Sequence, residues 1–200
     1  MTAIYVDATT CISLGTLGEL DLLATFSGTP AFLPTVVAEV TTEPARTNLD
    51  RLLDADWTAR PGEFPYRRPT DQEPGTYLVR DDATEQFERA VSVLGEQQQW
   101  TENGDVSGDV EIVAEVLRAR DGNQPVGVVS DDRRVRRVTE GFGATVTGTV
   151  GVVVESVADG TLDPDEGRSV VDRLDGTGLH MTGQLRDRAF ELIDAASDDD

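Results

Sequence analysis

The sequence predicts an α/β domain built on a parallel sheet, and three observations carry that reading. Ile4-Tyr5-Val6 is a short buried-strand signal that ends at Asp7. Val126-Gly127-Val128-Val129 is another, ending at Ser130-Asp131-Asp132. Strand and helix signals alternate through the first forty residues and again after Gly104, which is the pattern of consecutive βαβ units.

The elements follow in order. Leu14, Leu17, Leu20, Leu23 and Phe26 recur at helical spacing and predict one helix over residues 14–26. Residues 31–33 form a second strand. Pro34 then stands at or just before the start of the next helix, as proline prefers, with Val36, Val37 and Val40 on its apolar face. Leu49, Leu52 and Leu53 predict a helix ending before Trp57. Residues 60–75 hold Pro61, Pro65, Pro69 and Pro74 and read as an excursion. Asp82-Ala83-Thr84-Glu85 is a capping-box pattern opening a helix with Phe87, Val91 and Leu94 inward, which Gln97-Gln98-Gln99 and Glu102-Asn103-Gly104 end.

In the second half, residues 109–120 form a helix with Ile112, Val113, Val116 and Leu117 inward, leading into the strand at 126–129. A helix at 133–140 is stopped by Gly141 and Gly143. Residues 144–146 make a further strand, and Thr147-Gly148-Thr149 is a tight loop into a helix running through Val157. Asp163-Pro164-Asp165-Glu166 is a second capping box, before a helix that buries Val170, Val171 and Leu174. The last helix starts after Thr182 and turns Leu185, Ala189, Leu192 and Ile193 inward; residues 197–200 are a disordered acidic tail.

Composition narrows the chemistry. A chain of 200 residues, 38% hydrophobic and 28% charged, suits one globular domain with a small appendage. No apolar stretch approaches the roughly 20 residues of a bilayer span, and the run at 151–154 stops at Glu155. The N-terminus has no basic region and reaches Asp7 too early for a signal peptide, so a cytoplasmic location is expected, without membrane partners. Cys11 is the only cysteine and His180 the only histidine; both read as structural. An internal disulfide and a cysteine-based zinc site are thereby excluded, as is any His-dependent triad that does not use His180, whose neighbourhood offers no nucleophile motif; carboxylates are left to do the chemistry of an enzyme. The net charge is −21, with 17 basic residues that are all Arg. A Lys-free, carboxylate-rich surface points to a halophilic, KCl-filled cytosol. At molar salt the Debye length is about 3 Å, so local rather than global charge decides what binds.

Asp7 and the Asp131–Asp132 pair stand at carboxyl ends of strands, which share one edge in a parallel sheet, the edge where ligands bind. Glu39 in the second helix, and Asp109 and Glu111 at the opening of the helix before the later strand, fall near that edge. So many carboxylates together repel one another unless some are protonated or a hard cation neutralises them. Mg2+ and Mn2+ are the cations that favour oxygen ligands. The competing explanation is that an Asp at a strand end simply caps the next helix, in a chain rich in acids.

Order adds what position lacks. Ile4-Tyr5-Val6-Asp7-Ala8-Thr9-Thr10, the helix after it, and Leu33-Pro34-Thr35-Val36-Val37-Ala38-Glu39-Val40 resemble the opening of a PIN domain. Gly108-Asp109-Val110-Glu111-Ile112-Val113-Ala114 is similar to the Gly-Glu-x-Glu-Ala-Ile-Ala segment of a branch of predicted nucleic-acid-binding proteins related to VapC-type toxins. Val128-Val129-Ser130-Asp131-Asp132-Arg133 and Val146-Thr147-Gly148-Thr149-Val150-Gly151-Val152 resemble its next two strands and its Thr-Gly-Thr-x-Gly loop. The closing helices, around Val171-Asp172-Arg173-Leu174 and Gly178-Leu179-His180-Met181-Thr182, look like those of the branch as well.

This resemblance implies a three-layer PIN-like fold, a central parallel sheet flanked by helices. Residues 1–155 would be the nuclease domain, with a longer insert at about 61–104, and 156–196 a two-helix C-terminal extension. It implies a Mg2+- or Mn2+-dependent endoribonuclease with Asp7, Glu39, Asp109 and Asp132 catalytic, and those four with Glu111 and Asp131 around the metal. RNA is the implied substrate, with a toxin role, a small antitoxin partner and a homodimer among the further implications. Thr9, Ser130, Arg133 and Thr149 are expected to touch substrate, although Thr9, Ser130 and Thr149 serve equally well as helix-entry residues. Arg133, Arg134, Arg136 and Arg137 form the one dense basic cluster; a salt-bridged helix face is the alternative to phosphate contact. Trp57 and Trp100 read as core or partner contacts. The main alternative function is a non-catalytic PIN-like module that binds RNA or protein. Phosphoryl transfer through an aspartyl phosphate is disfavoured: Thr9 stands where haloacid-dehalogenase-like enzymes need Asp, and a receiver domain needs a Lys that this chain lacks.

Overall fold

The computed structural model describes residues 2–54, 84–95 and 107–197. Four strands, β1 (Ala3–Val6), β2 (Thr29–Ala31), β3 (Val126–Val129) and β4 (Thr145–Thr147), form a parallel sheet in the order β2-β1-β3-β4. β1 and β3 are buried along their whole length, as in a sheet covered on both faces. Val6 pairs with Val129, and Val129 with Thr147, so Asp7 and Ser130 leave the sheet at the same level.

Among the described residues the helices are α1 (Ala8–Leu17), α2 (Pro34–Glu39), α3 (Ala45–Leu53), α4 (Thr84–Leu94), α5 (Gly108–Asp121), α6 (Arg133–Gly141), α7 (Thr149–Ala158), α8 (Pro164–Leu174) and α9 (Gly183–Ser197). Pro34 occupies the first turn of α2, and Asp163 with Glu166 closes a full capping box on α8. α8 and α9 share the main core, contributing Val170, Leu174, Ala189 and Ile193.

α5 is apolar on two sides. Ile112, Val116 and Ala119 face the main core, while Val110, Val113, Ala114 and Leu117 form a second core with Ala90 and Leu94 of α4. A helix gripped from both sides is a rigid mount for Asp109 and Glu111 in its first turn.

Two sequence expectations change. The single helix over 14–26 is instead α1 and a short 3-10 helix at Leu20–Thr25, separated by Gly18 at φ 77°. That left-handed conformation suits glycine and closes α1, although the leucine spacing continues across the break. On α9, Leu185 and Leu192 are 39% and 37% exposed, and only Ala189 and Ile193 of the expected face are buried. The Asp82–Ala83 part of the first capping box, both tryptophans, most of the 61–104 insert, the Gln97–Gln99 run and the tail from 198 lie outside the described residues. No helix among those described is long and apolar enough to cross a membrane.

Candidate active site

The expected acids all gather at the carboxyl edge of the sheet, where five helices also begin. Asp7 follows β1 and is only 4% exposed. Its backbone N–H donates to Val129 O at 2.9 Å, and Ser130 Oγ donates to its carboxylate at 2.9 Å. Burial raises its pKa; the Ser130 bond and the N–H groups of Ala8 and Thr9 pull it back, and Asp131 adds to the rise. Those two N–H groups face the carboxylate without closing a cap bond.

The remaining carboxylates are anchored mainly by helix N-termini, which carry unsatisfied N–H groups and partial positive charge. Glu39, the last residue of α2, accepts from Gly108 N at the start of α5 at 2.8 Å. Glu111 of α5 reaches back to the start of α2, accepting from the Thr35 N–H at 3.2 Å and from its hydroxyl. Each helix thus lends a carboxylate to the first turn of the other. Gly108 permits the approach, because a Cβ there would stand 2.9 Å from Val36 Cγ2 and 3.4 Å from Glu39 Oε2. Asp132 caps α6, accepting from the N–H groups of Arg134 at 2.7 Å and Val135 at 2.9 Å. Asp131 caps α7 from outside, accepting from the Thr149 N–H at 2.9 Å and from its hydroxyl. Gly148 leaves room for this, since a Cβ on it would come within 2.7 Å of Asp131 Oδ1.

Asp109 differs. Among the described residues no hydrogen bond reaches its carboxylate, and burial followed by the facing charges of Asp7, Asp132 and Glu39 pushes its pKa up to about 7. Glu39 is raised by burial, less the Gly108 bond, with Asp7 adding to it. Glu111 is also pushed up to about 7, chiefly by burial against the Thr35 bonds that lower it; its Oε1 is buried without a partner. Acids from β1, α2, α5 and the β3–α6 turn therefore feel one another across one spot.

The expected substrate contacts divide. Thr9 is exposed beside Asp7. Ser130 is fully buried and fixes Asp7 while accepting the Asp132 N–H at 3.1 Å, so it orients acids rather than facing solvent. Thr149 is also buried, reaching Asp131 and lying 3.0 Å from the Thr10 hydroxyl. Arg133 is exposed next to Asp132.

Two features were not foreseen. Thr35 was available as a hydroxyl at a helix start after Pro34. The second is a buried network one turn below Glu111, where Glu115 Oε2 accepts from Tyr5 Oη at 2.8 Å and from Arg118 at 2.7 and 3.0 Å. An acid in the middle of the apolar run 112–117 was its only sequence signal.

As they stand, no three His, Cys, Asp or Glu side chains among the described residues form a ready-made ligand group for a metal ion. Glu39, Glu111, Asp131 and Asp132 give oxygens to N–H donors instead. The donor set is nevertheless all oxygen, mutually repulsive and centred on an unbonded carboxylate, which fits a hard divalent cation in its chemistry.

A family model described as a PIN domain matches residues 107–195, the stretch from α5 through α9. It contains Asp109, Glu111, Asp131 and Asp132, and the sheet brings Asp7 and Glu39 to them from the preceding half. Comparison with curated proteins and with solved structures gave no match. The central parallel sheet flanked by helices is consistent with a PIN-like fold, and residues 107–195 are the segment that matches a PIN domain.

Proposed function

We propose that the chain is a Mg2+- or Mn2+-dependent endoribonuclease. PIN domains have a nuclease-like fold, and one observation here carries the reading furthest: Asp109 is half-buried without a hydrogen bond among the described residues, opposite Asp7, Glu39 and Asp132. That arrangement costs stability unless a proton or a cation relieves it.

Asp7, Glu39, Asp109 and Asp132 would hold the cation, with Asp131 and Glu111 able to join by releasing their threonine partners. The cation supplies Lewis acidity at a phosphodiester and offsets charge on the leaving oxygen. The chain does the rest. Ser130 holds the Asp7 carboxylate in place through a 2.9 Å bond. The Glu39–Gly108 and Glu111–Thr35 bonds fix α2 against α5, so that Glu39 stands over Asp109. Thr9 and Arg133 are exposed beside Asp7 and Asp132 and would hold substrate phosphates. Resemblance to the VapC-type branch supports a toxin role with a small antitoxin partner and a homodimer.

The test is cleavage of end-labelled RNA with Mn2+ in high KCl, comparing wild type with Asp7→Asn. Cleavage by the wild type and its loss in the variant are expected. Equal cleavage by both contradicts the proposal, and no cleavage by either leaves a non-catalytic RNA- or protein-binding module as the better reading.

A further inference from the structure

In a chain of net charge −21, the described arginines are mostly matched to carboxylates: Arg46 to Asp50, Arg89 to Asp121 and Arg173 to Glu19, for example. Of those without an ion pair among the described residues, most lie on α6; Arg51 and Arg120 are the others, and Arg120 stacks over the Phe142 ring at 5.4 Å. Arg133, Arg136 and Arg137 are exposed and make no ion pair among the described residues. Glu140 stands at pairing distance along the helix from Arg136 and Arg137, yet no bridge forms. Arg134 is held differently, donating to the Val93 carbonyl at 3.3 Å.

The placement runs against helix electrostatics. Arginines crowd the first turns of α6, the positive end of its dipole, and its last turn has no basic residue. The acids at the head of the helix are engaged elsewhere, Asp132 by backbone N–H groups of α6 and Asp131 by Thr149. Violations of a local rule concentrate where a protein binds something. Spacing at i, i+3 and i+4 puts the three guanidinium groups on one stripe. That stripe begins beside Asp132, and Arg136 borders the active-site loop: a Cβ on Gly148 would be 3.7 Å from its guanidinium and 2.7 Å from Asp131.

We infer that Arg133, Arg136 and Arg137 form a track for the phosphate backbone of a single RNA strand, leading it to the acids at the head of the same helix. Charge complementarity selects a polyanion, since arginine forks match phosphate oxygens. The buried position of Asp7 favours a flexible single strand over a rigid duplex. Contacts to phosphate position a strand without reading its bases, so a track of this kind has little sequence preference. The inference rests on the nuclease reading for its substrate, but its test does not depend on cleavage.

Binding is measured by fluorescence anisotropy in the Asp7→Asn background with Mg2+, using a fluorescein-labelled oligouridylate over a range of KCl concentrations. Arg133→Gln, Arg136→Gln and Arg137→Gln are introduced together. A control carries Arg168→Gln, Arg186→Gln and Arg188→Gln, the same change of net charge on α8 and α9. The α6 triple variant is expected to bind about tenfold or more weakly, with a plot of log K against log[KCl] shallower by about 2, at about 0.7 per lost phosphate contact. The control should match its parent, and circular dichroism checks that both remain folded. Unchanged affinity and slope in the α6 variant, an equal loss in the control, tighter binding of a duplex, or no binding by the parent would each overturn the track. Arg-dependent binding beside a wild type that cuts nothing sinks the nuclease reading alone; normal cleavage beside Arg-independent binding sinks the track alone.

Discussion

Asp109→Asn is expected to lower RNA cleavage by about a hundredfold or more, the scale on which a single electrostatic group acts at a reacting centre, while making the metal-free protein more stable at pH 8. The two effects have one cause. Burial and the facing Asp7, Asp132 and Glu39 charges raise the Asp109 pKa to about 7, against 3.8 for the ordinary group. Between those values the folded chain holds a proton that the unfolded chain has released. Stability from this group is therefore full below about pH 4 and is lost as pH rises through about 7. Glu111, also at about 7, adds to the same window. In EDTA the wild-type Tm should fall across it, and Asp109→Asn should flatten that fall. A gain of about 1 kcal/mol at pH 8 would read as about 2–4 °C for a chain of this size. Thermal denaturation in EDTA at pH 5.5 and pH 8 checks the sign. A variant less stable than wild type at pH 8 would mean that the carboxylate has a stabilising partner.

Glu115→Ala should be the more damaging change for folding. The Glu115 side chain is 1% exposed, and its carboxylate links Tyr5 on β1 to Arg118 on α5. Burial, and then the Glu115 charge, pushes the Tyr5 phenol far up, so it remains a donor. The Arg118 guanidinium is held above its ordinary value by Glu115, against burial that lowers it. Removing one partner of a buried pair costs about 3–5 kcal/mol. Because the Arg118 side chain is 36% exposed and can turn to water, about 2–3 kcal/mol is the expected loss in urea unfolding. Tyr5→Phe removes one hydrogen bond and should cost about 1 kcal/mol. A Glu115→Ala protein as stable as wild type would show that the network is not holding α5 to the sheet.

What could be read from the sequence followed from local signals. The runs at 4–6 and 126–129 are short, apolar and closed by Asp, and they became the two fully buried central strands. Pro34 and the Asp163–Glu166 box marked helix starts because capping chemistry is written within four residues. The α1 break was hidden because Gly18 acts through a backbone angle, while the leucine spacing ran on undisturbed. Leu185 and Leu192 showed the opposite failure: helical period names a face, but tertiary packing decided how much of it α9 covers.

At the site, the gathering of the acids was legible because a parallel sheet collects its strand ends on one edge. What each oxygen does was not. Asp132, Asp131, Glu39 and Glu111 each accept from a helix's first-turn N–H, and all but Asp132 do so at a helix distant in sequence. Such cross-capping has no signature in the sequence. It also distinguishes Asp109, the one acid of the six that has only like charges against it.

Calorimetric titration of the full chain with Mn2+ at pH 7.5, in buffers of different ionisation enthalpy, tests the central claim most directly. One ion per chain should bind with release of protons to the buffer, because acids with pKa values near 7 must ionise to hold it. Asp109→Asn should weaken that binding by at least about tenfold. No uptake of Mn2+ by the wild type, or equal uptake by the variant, would contradict the account.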